Sequence, residues 1–300
     1  MDWIFLSLAS AAIFAVVSVL DKFILMRHVP SAPTMIVLLG LLQLPGATIM
    51  VLVSPPELPA SGAWAVAYAS GLLWGVSLVI MFQVMSRHEV SRILPVISTS
   101  PVYVAIMAMV FLDESLTVAH WVAIAVTVTG AFLVSIRPVR GSVVIVLGRS
   151  LGALVVASIL VAAAQLLGKV ALNELSLTSM FPFRSLGLAT GCVALSLRRS
   201  TYAETRAMFS SFASGGLMVL TEAVIAPFAA LITIWAIMLG PVSLAVTLMS
   251  ARPLFVFVLS AILSTKLLSV LAEPLDRVTL SIKAVSIAMI VAGVVAISLL

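Results

Sequence analysis

No Asp, Glu, Lys or Arg occurs between Glu57 and Arg87, or between Glu222 and Arg252. Uncharged apolar runs of about 20 residues are what one helix needs to cross a bilayer core. Such runs make up most of the chain: 63% of its residues are hydrophobic, 9% are charged, and the mean hydropathy is +1.29. A water-soluble enzyme cannot solvate that surface, and a disordered chain needs the opposite composition. The remaining class is a polytopic membrane protein. Barrel strands are short and alternate in polarity, and these runs do neither, so the spans are helices. The 300 residues hold about ten of them with short connections.

Charges, prolines and polar clusters place the spans at 3–26, 34–53, 62–85, 90–112, 116–136, 149–172, 178–197, 212–239, 242–264 and 278–299. Residues 137–141 are the midpoint, and a polar loop runs from Arg198 to Arg206. A net charge of +5 does not indicate nucleic acid here, because Lys and Arg sit between apolar runs, where they report topology. Cys192 has no partner for a disulfide, and His28, His88 and His120 match no metal spacing, so neither a metal nor a cofactor is expected. Asp2 stands where a signal peptide needs positive charge, and Trp3–Leu20 reads as the first span.

The two halves, 1–140 and 141–300, look alike. A shift of 152 places Val90, Ser91, Ser98, Pro101 and Val104 on Val242, Ser243, Ser250, Pro253 and Val256. A shift of 163 places Val128, Gly130 and Ser135 on Val291, Gly293 and Ser298, and a shift of 147 places Lys22 on Lys169. Five spans per half is an odd number, so the second half enters the membrane from the opposite side. Inverted halves of this kind suit alternating access in secondary transporters.

The motifs within this repeat resemble those of the drug/metabolite transporter superfamily, in its EamA-like branch. They are Glu89-Val90-Ser91-Arg92-Ile93-Leu94-Pro95, then Ser100-Pro101, then the acidic turn Leu112-Asp113-Glu114-Ser115-Leu116-Thr117. The second half repeats them as Leu239-Gly240-Pro241-Val242-Ser243 and Arg252-Pro253, with Ser264-Thr265-Lys266 in place of the acidic turn. The resemblance implies ten helices around a central cavity walled largely by spans 3, 4, 8 and 9. It also implies transport of metabolites, amino acids or drugs, often outward, with both termini in the cytoplasm.

No P-loop, G-x-S-x-G elbow or H-E-x-x-H is present, so an ATPase or an intramembrane enzyme is not expected. Coupling to an ion gradient needs a titratable group near the midplane. Glu222 and Arg252 each lie roughly 15 Å into their spans at 1.5 Å per residue. Each costs about 2.5–3.5 kcal/mol to insert at that depth. Glu222 suits a proton or a cationic group, and the Arg252 fork suits a carboxylate or phosphate. The alternative is a structural ion pair between them. Lys22, behind Asp21, is a further candidate, and its repeat partner Lys169 a weaker one. Arg184 is expected to snorkel, and Arg92 to anchor span 4 at the interface. Trp74 and Tyr103 fall mid-span, where aromatics either line a cavity or pack.

Pro45, Pro95, Pro101, Pro227 and Pro253 permit kinks, and the repeat partners Pro101 and Pro253 are candidate hinges. Gly71-x-x-x-Gly75 and Gly187-x-x-x-Gly191 permit close helix packing. Of the 16 Lys and Arg, 13 fall on the side opposite the N-terminus, so the charge bias puts both termini outside the plasma (inner) membrane. The expected partners are a small-molecule substrate, protons or another coupling ion, and membrane lipids, with the chain a monomer or homodimer. A lipid-linked sugar or phospholipid flippase and a non-transporting membrane scaffold are the alternative functions.

Overall fold

The computed structural model describes residues 2–27, 29, 31–56, 58–85, 96–135, 149–209, 212–264 and 277–300. Among these residues every regular element is helical. The order is α1 (Asp2–Arg27), α2 (Ala32–Leu42), α3 (Leu44–Val53), α4 (Ala63–Met85), α5 (Ser100–Phe111), α6 (Val118–Ser135) and α7 (Arg149–Ala171). There follow α8 (Leu177–Ser196), α9 (Arg199–Phe209), α10 (Phe212–Val219), a π-helical turn (Leu220–Ile225), α11 (Ala226–Leu239), α12 (Val242–Met249), α13 (Arg252–Ser264) and α14 (Arg277–Leu299). Among the described residues seven stretches are long and apolar enough to cross a membrane, or eight if the bent pair α8–α9 counts as one. Ser100–Phe111 and Val118–Leu133 are shorter apolar helices. The segment 86–95, with Arg92 and Pro95, lies outside the described residues, as does the midpoint loop.

Prolines decide where the long apolar runs break. Pro45, Pro101, Pro227 and Pro253 were expected to permit kinks in continuous spans; instead each stands at the start of a new helix, whereas Pro182 lies inside α8. Pro45 and Pro227 stand in the first turns of α3 and α11, where a missing N–H leaves no bond unmade. Pro101 is the second residue of α5 after a turn at Ser98–Thr99. Pro253 is the second residue of α13 after a turn at Ser250–Ala251. The two candidate hinges therefore follow equivalent two-residue breaks.

Glycine sets the tightest packing. The α4–α8 crossing brings backbone onto backbone: a Cβ on Gly71 would land on the Arg184 carbonyl, and one on Gly187 on the Tyr68 carbonyl. The G-x-x-x-G pairs are thus used within the chain. Along the α6–α14 contact Gly130 faces Ser286 and Ile290, while Gly293 faces Ala123 and Thr127. Elsewhere α1 packs on α11, α12 and α13, and α7 packs on α4 and α5. Ser10 and Thr233 join α1 to α11 through their hydroxyls at 2.6 Å.

The polar stretch after Ser196, expected as a loop, is helical. It forms α9, which turns 116° away from α8. Arg199, Tyr202 and Arg206 are exposed on it, while Thr201 and Met208 are buried. That split suits a helix lying along the membrane surface. Met208 packs with Ile24, Met35 and Met218. The Glu204 carboxylate accepts bonds from the Ser31 and Thr34 hydroxyls at the start of α2. Those bonds, Ser31 foremost, hold its pKa below the ordinary glutamate value. A lowered folded-state pKa stabilises at pH above the unfolded value, and the stabilisation is lost as pH falls through the folded one.

Two outcomes follow. Gly187→Val forces the α4 and α8 backbones apart, an overpacking worth about 1–3 kcal/mol, and a lowered melting temperature in detergent will show it. Glu204→Ala speeds amide exchange in residues 199–209 near neutral pH. Corrected for intrinsic rates, that difference from the native chain shrinks below the carboxylate range.

Candidate functional site

One face of α1 presents Phe14, Ser18 and Asp21, spaced i, i+4 and i+7. Two interrupted helices meet that face. Glu222 is carried by the π turn between α10 and α11, and Arg252 opens α13 directly after its break. Interruptions of this kind put side chains where a regular helix would not, and π turns recur at functional sites. Arg252 donates from Nε to Ser18 Oγ at 2.8 Å and also from Nη2 to the same oxygen. Its guanidinium lies over the Phe14 ring, 5.1 Å from the centroid.

The Asp21 and Glu222 carboxyls face one another, with Arg252 in electrostatic range of both. Glu222 is 0% exposed. Neither of its oxygens, nor Asp21 Oδ1, has a donor among the described residues other than the facing carboxyl, which can donate only with a proton held between the two. A buried charge left this way costs several kcal/mol. A hydrogen-bonded Glu–Arg ion pair would have satisfied those oxygens; here two of the guanidinium N–H groups are on Ser18.

The structure therefore brings together two of the expected site residues, Glu222 and Arg252, and adds Asp21, Ser18 and Phe14. Lys22 follows Asp21 on α1 and is half-buried. Trp74 belongs to a different cluster, and Tyr103 packs against the apolar group of Val104, Ala108, Ile237 and Val246. The Phe14–Ser18–Asp21 stripe was visible as helical spacing, but nothing in the sequence said which face of α1 meets Glu222.

Trp74 lies under Arg184, whose guanidinium is 5.0 Å from the ring centroid. The expected snorkelling of Arg184 is corrected: it is 9% exposed, and its Nη2 donates to Gln165 Oε1 at 3.0 Å. Proximity to the end of span 7 suggested an escape to the interface. The tight α4–α8 crossing instead encloses the side chain.

A third polar group fastens the turn between α11 and α12. Lys169 Nζ donates to the carbonyls of Ile237 at 2.7 Å and Gly240 at 2.8 Å, closing the end of α11. Glu114 Oε1 accepts the Val242 N–H at 2.7 Å, and its Oε2 accepts the Ser243 N–H at 3.3 Å and the Ser243 hydroxyl. An acid at a helix start and a cation at a helix end both match the peptide dipoles. This gives Lys169 and the acidic turn an architectural role.

Residues 1–136 match the EamA-like transporter family. The chain is 28% identical over 138 residues to an uncharacterized transporter in the cobO 3' region of Sinorhizobium sp., covering 45% of this chain and 97% of that protein. A solved crystal structure of a protein shares the fold, with a TM-score of 0.65 at 14% identity, covering 99% of this chain and 95% of that one.

With Arg252 held by Ser18, Ser18→Ala removes the acceptor of two of its N–H groups. The expected loss is about 1.5–3 kcal/mol, read as a lower melting temperature than that of Ser7→Ala, whose hydroxyl bonds only its own helix.

Proposed function

We propose that this chain, EamA-like over its first 136 residues and a multi-pass membrane transporter, is a secondary exporter of a small polar or amphipathic metabolite, such as an amino acid or drug. It works without ATP, by alternating access between two inverted five-helix halves. The observation that carries this reading is the buried Asp21–Glu222–Arg252 cluster, its glutamate and arginine on interrupted helices, where among the described residues the Glu222 oxygens have no donor but the facing Asp21 carboxyl. Two carboxylates and one guanidinium leave one negative charge in a dry site. One proton, or one cationic group of a cargo, balances it. Exchange of one for the other couples transport to a gradient.

The inverted organisation has support from packing. Under the shift of 163, Ser286 and Ile290 correspond to Ala123 and Thr127. Gly130 faces the first pair and Gly293 the second, so the two contacts exchange with the halves. Likewise α1 meets α11 and α13 as α7 meets α4 and α5. The relative matched over 97% of its length by 138 residues is about as long as one half. Equivalent breaks before Pro101 and Pro253 suit paired hinges. The flippase reading, with Arg252 and Lys22 on a phosphate, is disfavoured by the two carboxyls beside Arg252. We place the chain in the plasma (inner) membrane, both termini outside, on the bias of 13 of 16 basic residues.

A binding screen of purified protein against amino acids, nucleosides, sugars and cationic drugs will name the cargo. In proteoliposomes Glu222→Gln and Arg252→Ala then lower its transport about tenfold or more, the worth of a charged hydrogen bond; unchanged rates would defeat the assignment. Alkaline phosphatase fused after Leu300 is expected to be active, whereas activity of a cytoplasmic reporter there reverses the orientation.

A further inference from the structure

Arg184 and Arg252 are held by the same position of two related helices. The shift of 147 that places Lys22 on Lys169 also places Ser18 on Gln165 and Asp21 on Gly168. Ser18 accepts from Arg252, and Gln165 accepts from Arg184. One turn further on, the two halves differ. Where α1 has the Asp21 carboxyl near Arg252, α7 has Gly168 near Arg184. The Arg184 guanidinium lies in the space a side chain would take there, with Nη1 3.0 Å from where a Cβ would stand.

Among the described residues Arg184 is therefore a buried cation without a counter-charge. No carboxylate among them lies in range of it. One nitrogen is on Gln165 and one face is on Trp74. A guanidinium has five N–H groups, and a cation–π contact is worth about 0.5–2 kcal/mol, less than the several kcal/mol that burying an unanswered charge costs. Gly71 and Gly187 bring the surrounding backbones together, and Ser70 Oγ, beside the same Gly168 position, gives its proton to the Ala164 carbonyl at 2.7 Å.

We propose that Arg184, Gln165 and Trp74 form a carboxylate-binding site between α4, α7 and α8, in which a ligand supplies the charge that Asp21 supplies near Arg252. The planar fork of arginine matches a carboxylate in two parallel bonds. A single positive charge is balanced by a monoanion, and a phosphate dianion would leave a charge over. The site is separate from the Glu222 cluster, and its test does not depend on transport.

The test is equilibrium binding of radiolabelled propionate to the full-length protein in nanodiscs, with inorganic phosphate and chloride as competitors at fixed ionic strength. Saturable binding that phosphate and chloride fail to displace is expected, weakened tenfold or more in Arg184→Gln and less in Arg184→Lys. Gly168→Asp is the decisive variant. It restores the missing carboxylate, and the nearest atom it meets is Nη1 at the tip of the arginine side chain, which needs to give by only a few tenths of an ångström. Propionate binding is expected to vanish in it while the melting temperature holds. Native binding by Gly168→Asp or Arg184→Gln, displacement by chloride, or preference for phosphate would each overturn the proposal. Should Arg184→Gln fail to fold, the Gly168→Asp result and the competition in the native chain still decide it.

Discussion

A bilayer core offers no water, so each charge that enters it must be answered from within the protein. Three of the deep cations of this chain are answered in three different ways. Lys169 is satisfied by backbone carbonyls at a helix end. Arg252 is shared between a hydroxyl, an aromatic face and two nearby carboxyls. Arg184 has an amide oxygen and an indole, and no opposite charge among the described residues. The first arrangement is complete and holds architecture together. Counted over the described residues, the other two are each short by about one unit of charge, of opposite sign, and in the functions proposed for them each deficit is met by a proton or a ligand.

The interruptions serve the same constraint. A regular helix closes all its own hydrogen bonds and leaves nothing to offer. The π turn at Leu220–Ile225, the break at Ser250–Ala251 and its counterpart at Ser98–Thr99 open that closed pattern inside the membrane. Such openings are tolerated only where they are buried in protein. Here two of them flank the cluster that holds Glu222 and Arg252. Proline at the head of each new helix keeps the break from healing, since it has no N–H to donate back across it.

Much of the architecture is legible in hydropathy, because uncharged runs bounded by Arg, Lys and proline have few other fates. The glycine pairs also reported their role, since close helix approach needs the absence of a side chain on both partners. Glu222 and Arg252 stood out because a charge deep in a span is costly wherever it points. Asp21 did not, lying six residues from the end of α1, where a carboxyl can reach the interface. Only packing reveals that it turns inward with Ser18. Arg184 was misread for the same reason: distance from a span end measures the chance of escape, while enclosure depends on neighbours from α4 and α7. The amphipathic α9 was hidden by its own polarity, which a short surface helix and a loop share. The acidic turn resembled a family motif, but its partners, the N–H groups of Val242 and Ser243, are far along the chain and carry no local signal.

That last separation bears on assembly. Glu114 and the α12 N-terminus it caps are 128 residues apart in sequence. During synthesis the carboxylate is therefore made long before the amides it serves. While it waits it sits at the end of a span, where water can solvate it at little cost, so the incomplete chain bears no penalty. The cap closes only when the turn at Gly240–Pro241 reaches the membrane face already occupied by the first half. The order of manufacture is thus matched to where the polar groups lie: those made early and kept waiting are at the water's edge, and the costly buried cluster is closed only once Glu222 and Arg252 have arrived.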